Sequence, residues 1–185
     1  GDVGSINQTL NVWRDGAWVF TIEAHSDPVM AVAVLPGGAR LISVSSDGTA
    51  KLWTLDGALE RTYAMGSDVY CVAALPDGVH FVVGLYNHEV QLYHVDGTLV
   101  HAFKGHTGPV YAVAVTPDGQ HIISGSFDKL VKVWSVATKS FVSTCNGHTH
   151  YVRAVAAMPD GQRILSGGWD STVRVWLLDG TLKIT

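Results

Sequence analysis

The sequence predicts an all-β chain built from one repeated unit, and three observations carry that prediction. The first is residues 105–134, GHTGPVYAVAVTPDGQHIISGSFDKLVKVW, which hold three strand-sized runs separated by turn chemistry. VYAVAV ends at Pro117-Asp118-Gly119, HIISGS follows, and Phe127-Asp128 opens a tight connection into LVKVW. No helical period runs through it, so it reads as an antiparallel meander. The second is recurrence. From His106, a Ser lies 18 residues on, an Asp 22 on and a Trp 28 on (Ser124, Asp128, Trp134). His25 gives Ser43, Asp47 and Trp53 at the same offsets, and His148 gives Ser166, Asp170 and Trp176. The third is the even spacing of closing aromatics: Trp13, Trp53, Tyr93, Trp134 and Trp176 stand 40, 40, 41 and 42 residues apart. Fixed offsets met three times over mark a repeat protein.

Taken in order, residues 1–24 are the end of a first, partial unit. Thr9-Leu-Asn-Val-Trp13 matches the third strand of the later units. Trp18, Phe20 and Ile22 alternate with Val19, Thr21 and Glu23, as on a half-exposed outer strand. Asn7 holds the turn position that Asp holds elsewhere; it also opens a formal glycosylation sequon, Asn7-Gln8-Thr9, but the turn role is the favoured reading. Full units then run over about 25–64, 65–104, 105–145 and 146–185. Their first hairpins carry Pro36-Gly-Gly, Pro76-Asp-Gly, Pro117-Asp-Gly and Pro159-Asp-Gly, where Pro presets φ and Gly takes the positive φ. A second turn is Asp15-Gly16, Asp56-Gly57, Asp96-Gly97 and Asp179-Gly180, replaced in the third unit by Ala137-Thr138-Lys139.

The second unit is irregular, with Met65, Val83, Asn87 and Tyr93 at the His, Ser, Asp and Trp positions. Replacing hydrogen-bonded partners together by apolar groups is close to neutral, so it still counts as a unit. No linker interrupts the series, and residues 1–185 read as one domain. The first run of each unit, as in VMAVAVL, VYCVAAL and VYAVAV, is apolar at both alternating positions. That pattern predicts strands buried from both sides.

Gly-His near the start, Asp in a turn and a closing Trp resemble the WD40 repeat, although the closing Trp is followed here by Thr54, Ser135 or Leu177 rather than Asp. The resemblance covers essentially the whole chain. It implies a WD40 β-propeller of four full four-stranded blades plus part of a fifth, each repeat spanning the outer strand of one blade and the three inner strands of the next. It also implies that Trp, Ser, His and Asp hydrogen-bond in series inside each regular blade. At this period a seven-bladed ring needs roughly 290 residues, so the expected setting is a fragment of a larger ring completed by further blades or a second chain. A closed ring of four or five blades is the alternative.

A net charge of −4 gives no reason to expect a nucleic-acid partner. Cys71 falls on an inner strand and Cys145 on an outer strand one blade further on, which disfavours a disulfide and points to a reducing, cytoplasmic setting. No signal-peptide pattern opens the sequence and no apolar run reaches the length of a span, so no membrane partner is expected. Nine histidines invite a metal reading. However, His25, His106 and His148 repeat in separate blades, whereas a metal site needs several ligands about 2 Å from one ion. His148-Thr149-His150 offers two ligands at best.

Ser124, His106 and Asp128 have the composition of a hydrolase triad, but the trio occurs three times and no Ser sits in a G-x-S-x-G elbow. The glycines belong to hairpin turns rather than to a phosphate loop. No catalytic, cofactor or metal residue is therefore expected, and the chain reads as a non-enzyme. The alternative is a segment of a multidomain enzyme or ligase subunit whose chemistry lies outside it.

In WD40 proteins the narrow top face is often lined by the residues three and five beyond the His and by the one before the Asp. Carried onto this sequence, blade one gives Pro28, Met30 and Ser46, and blade two, counted from Met65, gives Asp68, Tyr70 and Tyr86. Blade three gives Pro109, Tyr111 and Phe127, blade four gives Tyr151, Arg153 and Trp169, and Ile6 is the visible member of the partial blade. Tyr, Trp, Phe and Arg are the types that dominate interface hot spots. The expected function is a scaffold that binds a protein or peptide on this face. The competing reading is that the aromatics pack on one another or plug the central channel.

Overall fold

Turn chemistry sets the architecture. In the computed structural model, which describes residues 8–185, every connection between paired strands is a tight reversal, and the result is all β. Ile6 and Asn7 lie outside the described residues. The chain opens with a two-stranded hairpin, β1 (Thr9–Arg14) and β2 (Ala17–Glu23), joined across Asp15 and Gly16, both at positive φ as a twisted two-residue hairpin loop requires.

Four antiparallel four-stranded meanders follow, each one blade. Blade one is β3 (Val29–Val34), β4 (Arg40–Ser45), β5 (Thr49–Thr54) and β6 (Leu59–Ala64). Blade two is β7 (Val69–Ala74), β8 (His80–Leu85), β9 (Val90–His94) and β10 (Leu99–Phe103). Blade three is β11 (Val110–Val115), β12 (His121–Ser126), β13 (Val131–Ser135) and β14 (Ser140–Cys145). Blade four is β15 (Val152–Ala157), β16 (Arg163–Gly168), β17 (Val173–Leu177) and β18 (Leu182–Ile184). The innermost strands lie in a row, β3 against β7, β7 against β11 and β11 against β15.

Neighbouring blades share a core. Between blades one and two, Ile42, Ala50, Leu52 and Tyr63 meet Val69, Phe81 and Tyr93. Between two and three, Val82, Val90, Leu92 and Phe103 meet Val110, Ile122 and Trp134. Between three and four, Ile123, Val131, Val133 and Cys145 meet Val152, Ile164 and Trp176. Each junction thus repeats one pattern of apolar side chains, which is how stacked repeats bury a continuous core. Cys71 and Cys145 are free, buried and in different junctions.

The burial expected of the innermost strands falls elsewhere. The second strands β4, β8 and β12 are buried from their second residue to their last, whereas β3, β7, β11 and β15 are only partly covered. A second strand has a paired strand on each side and a neighbouring blade on each face. An innermost strand has an open edge at the hub, so its apolar run is not matched by full burial. The first hairpin also departs from simple alternation: a bulge between Val12 and Trp13 pairs Trp13 with Trp18 and turns Trp18 away from the side of Phe20 and Ile22. Trp13 and Trp18 are exposed, while Trp53, Tyr93, Trp134 and Trp176 are buried.

Candidate functional site

Three blades hold the same buried relay. Trp53 Nε1 lies 2.9 Å from Ser43 Oγ, His25 Nε2 lies 2.7 Å from the same oxygen, and His25 Nδ1 lies 2.9 Å from Asp47 Oδ2. In blade three the distances from Trp134 to Ser124, Ser124 to His106 and His106 to Asp128 are all 2.8 Å. In blade four Trp176, Ser166, His148 and Asp170 are joined at 2.7, 2.7 and 2.8 Å. An indole N–H only donates, so the Ser oxygen accepts from Trp and gives its own proton to His Nε2. Nδ1–H of the His then donates to the Asp.

Burial lowers the pKa of His25, outweighing the pull of Asp47. Burial opposes ionisation of Asp47, but hydrogen bonds from Thr49 and His25 more than offset it, and the carboxyl lies below its usual range. The backbone amide of Ser26 also donates to Asp47, as those of Thr107 and Thr149 do to Asp128 and Asp170. Each relay therefore ties the loop that enters the innermost strand to the turn between the second and third strands. Ser43, Ser124 and Ser166 are fully buried with both neighbours in place, a geometry that leaves no Ser oxygen open to a substrate. Both ring nitrogens of His148 are engaged, so His148 and His150 do not form a metal clip. Among the described residues no three His, Cys, Asp or Glu side chains gather as a metal site.

Blade two is built differently. Met65 and Val83 are buried where the other blades have His and Ser, and Tyr93 stacks on Phe81 with ring centroids 5.7 Å apart. Its hydroxyl donates to Gln91, Gln91 donates to Glu89, and Glu89 pairs with Lys104 at 3.1 Å. The polar chain runs outward to solvent instead of inward to a turn.

At one end of the blades the backbone repeats a tie. The amides of Ser46, Tyr86, Phe127 and Trp169 donate to the carbonyls of Pro28, Asp68, Pro109 and Tyr151 at 3.2, 2.9, 2.9 and 2.9 Å. This brings together, blade by blade, two of the three residues expected on the top face. The third is the extra residue of a β-bulge. Register shifts between Val29 and Ala31, Val69 and Cys71, Val110 and Ala112, and Val152 and Ala154 leave Met30, Tyr70, Tyr111 and Arg153 without a strand partner. A bulge re-aims the side chain it carries.

From blade two to blade four these side chains form an unbroken ledge. Tyr70 meets Tyr86 at 6.1 Å and Tyr111 at 5.3 Å, edge-on or tilted. Tyr111 meets Phe127 at 6.3 Å, Phe127 stacks on Tyr151 at 3.8 Å, and Tyr151 meets Trp169 at 5.7 Å. The Arg153 guanidinium lies 4.3 Å from the centre of the Tyr111 ring and 5.7 Å from that of Trp169. No carboxylate pairs with it among the described residues. Burial, and then the Asp68 charge, push the Tyr70 hydroxyl pKa upward. Tyr86, Phe127 and Trp169 remain 55%, 39% and 63% exposed, so the ledge is packed sideways and open above.

Met30 is exposed but stands apart, because blade one supplies Ser46 where the others supply the rings of Tyr86, Phe127 and Trp169. His150 is a member that sequence reasoning missed. Its ring lies 4.0 Å from that of Tyr151 and 5.8 Å from that of Trp169, and its Nδ1 is buried without a hydrogen-bond partner. The signal was there: the equivalent positions hold the small residues Asp27, Ser67 and Gly108.

Comparison with known proteins agrees with this architecture. The family described as WD domain, G-beta repeat matches residues 16–54, 97–135 and 139–176, more than half of the chain, and passes over the inner strands of the irregular blade two. The chain is 36% identical over 81 residues to nuclear distribution protein nudF 1 of Talaromyces marneffei, covering 41% of this chain and 18% of that protein. It is 30% identical over 102 residues to apoptotic protease-activating factor 1 of Rattus norvegicus, covering 52% and 8%. With the pre-mRNA-processing factor 19 homolog 2 of Arabidopsis thaliana it shares 31% over 116 residues, covering 57% and 22%. The matched stretches thus span less than a quarter of each of these relatives. With relay, meander and matched repeats in agreement, the chain belongs to the WD40-repeat family.

Proposed function

We propose that this chain is a non-catalytic interaction platform that binds an extended peptide or loop of a partner protein on its top face, as part of a larger ring. WD40 repeats generally act as protein-binding scaffolds. The observation that carries the specific reading is the ledge from Tyr70 to Trp169 with Arg153 held across it. Rings fixed by their neighbours lose little freedom on binding, and a guanidinium without an acid partner is ready to fork a carboxylate. The partner segment therefore carries an apolar or aromatic anchor for Phe127, Tyr151 and Trp169, and a carboxylate for Arg153.

The test is capture of partners from the native source, followed by titration of the best one against Trp169→Ala and Arg153→Ala. Each change should weaken binding by about 2 kcal/mol or more, the size expected of a hot spot. Unchanged affinity in both folded variants would move the site off this face.

A further inference from the structure

Of the three asparagines among the described residues, one is untethered. Asn11 Oδ1 accepts from Thr21 Oγ1 at 2.6 Å, and Asn87 Oδ1 accepts from the Glu89 amide at 3.2 Å. Asn146 is exposed and lies one residue past the end of β14, and its side-chain amide bonds to none of the described residues.

The residue that follows decides what such an amide can do. Asn11 precedes the β-branched Val12 inside β1 and Asn87 precedes His88, whereas Asn146 precedes Gly147. With no Cβ in the way, a glycine nitrogen can approach the carbonyl carbon of the preceding side chain. The Gly147 amide is not spent on any acceptor among the described residues, whereas that of Ala24, at the same place in blade one, donates to Gln8 at 3.0 Å. Packing dictates the glycine: an added Cβ would run into Arg174 Nη1 and lie 3.1 Å from Trp176 Cη2. It does not dictate the asparagine, since the other relay blades carry Glu23 and Lys104 there. Arg174 supplies a charge at this point. Its Nε donates to Thr172 Oγ1 at 3.2 Å, its Nη1 lies against Gly147, and no carboxylate pairs with it among the described residues. A cation beside an amide favours loss of the amide proton and stabilises the oxyanion formed when the nitrogen attacks.

We propose that Asn146 is a self-modifying site, converted through a cyclic imide with Gly147 to aspartate and isoaspartate, with Arg174 hastening ring closure. The Gly147 nitrogen gives its proton to water and bonds to Asn146 Cγ. The Cγ–Nδ2 bond breaks, and the nitrogen takes up a proton from water and leaves as ammonia. A second water opens the ring, at Cγ to give aspartate or at the main-chain carbonyl to give isoaspartate. Either product adds a carboxylate next to the residue on which Arg174 packs. Isoaspartate also threads an extra methylene into the main chain just before His148, in the loop that carries His150 and Tyr151 of the ledge. The site is a clock on blade four, independent of what the ledge binds, and its product is a substrate for enzymes that methylate isoaspartyl carboxylates.

The test holds the full chain at neutral pH and body temperature over weeks. Conversion is read by peptide mapping with mass spectrometry, and isoaspartate by methyl transfer from S-adenosylmethionine with an isoaspartate methyltransferase. Asn146 should convert about tenfold or more faster than Asn11 and Asn87 in the same sample, and as fast in the folded chain as in urea. Arg174→Gln should slow it about threefold or more, and Arg174→Lys should keep most of the rate, with each variant's fold checked by circular dichroism. Conversion at Asn146 about tenfold slower in the folded chain than in urea overturns the site. Equal or faster conversion in Arg174→Gln overturns the part given to Arg174, since removing a merely structural arginine would loosen the loop and speed the reaction.

Discussion

The Arg153 guanidinium lies 4.3 Å from the centre of the Tyr111 ring, although the two residues come from the innermost strands of different blades. Both are bulge residues, so neither is held by strand pairing, and the contact itself fixes their directions. A double-mutant cycle of Arg153→Ala and Tyr111→Leu on unfolding free energy should give a coupling of about 0.5–1 kcal/mol. Additive losses would mean that the ring and the cation merely lie near one another.

The relay makes a contrast between blades. Asp128 accepts from His106 and from the amides of Thr107 and Leu130, whereas the Asn87 side chain accepts only from the amide of Glu89. Asp128→Ala should cost about 1–3 kcal/mol by stranding buried donors. Asn87→Ala, on an exposed turn, should cost under about 0.5 kcal/mol. Urea titrations of both variants check this, and equal shifts would remove the relay from the account of stability.

Protonation should loosen blade one in two steps. The folded-state pKa of His25 is lowered, so below the ordinary value of 6.5 the unfolded chain binds more protons and stability falls as pH drops through that region. Asp47 is also lowered, so its contribution is full above the ordinary value of 3.8 and is lost as pH falls further, through its folded pKa. Melting temperatures measured from pH 7.5 downward should decline through the first window in the parent and be flatter there in His25→Gln. An identical slope in the variant would assign that decline to other groups.

Glycines at one repeat position should behave differently by blade. Gly125→Ala forces its new methyl against Val152, and the overpacking should cost about 1–3 kcal/mol. Gly167→Ala meets only ordinary contact and should stay within about 0.5 kcal/mol. Thermal melts of the two variants decide, and equal destabilisation would show that backbone conformation, not the neighbouring valine, selects glycine here.

The thiols offer a direct report of integrity. Burial pushes Cys71 and Cys145 up to about 12, so at neutral pH neither presents a thiolate. Ellman's reagent should find almost no reactive thiol in the native chain and two in denaturant. Rapid native labelling would show that one of these two junctions opens readily.

What could be read from the sequence was what local chemistry dictates. Pro-x-Gly and Asp-Gly turns fix where the chain reverses, so the strands and the grouping of four per blade follow from residues only a few positions apart. The distances from His106 to Ser124, Asp128 and Trp134 were legible because one blade contains all four. Contacts between blades were not. The apolar run of β7 resembles that of a doubly covered strand, yet the cover depends on where the hub lies. The closing role of Trp13 was read from spacing alone, and the bulge beside it and its exposure are tertiary facts. His150 escaped because its importance lies in a ring contributed from the turn after β16.

Two kinds of seam hold the arc together, and they respond differently to temperature. In blades three and four a buried Trp–Ser–His–Asp relay stands beside the apolar contacts at the junction with the preceding blade. The seam between blades one and two has Met65, Val83, Phe81, Tyr63 and Tyr93 instead, with its polar chain turned out to the solvent. Apolar cohesion fades on cooling, because its driving force near room temperature is entropic. Chilling should therefore weaken that joint more than the relay-backed ones. That joint lies just beyond the Tyr70 and Tyr86 end of the ledge, so cooling should loosen blade one and Met30 against the ledge, whereas the ledge itself, carried by blades two to four, should keep its width.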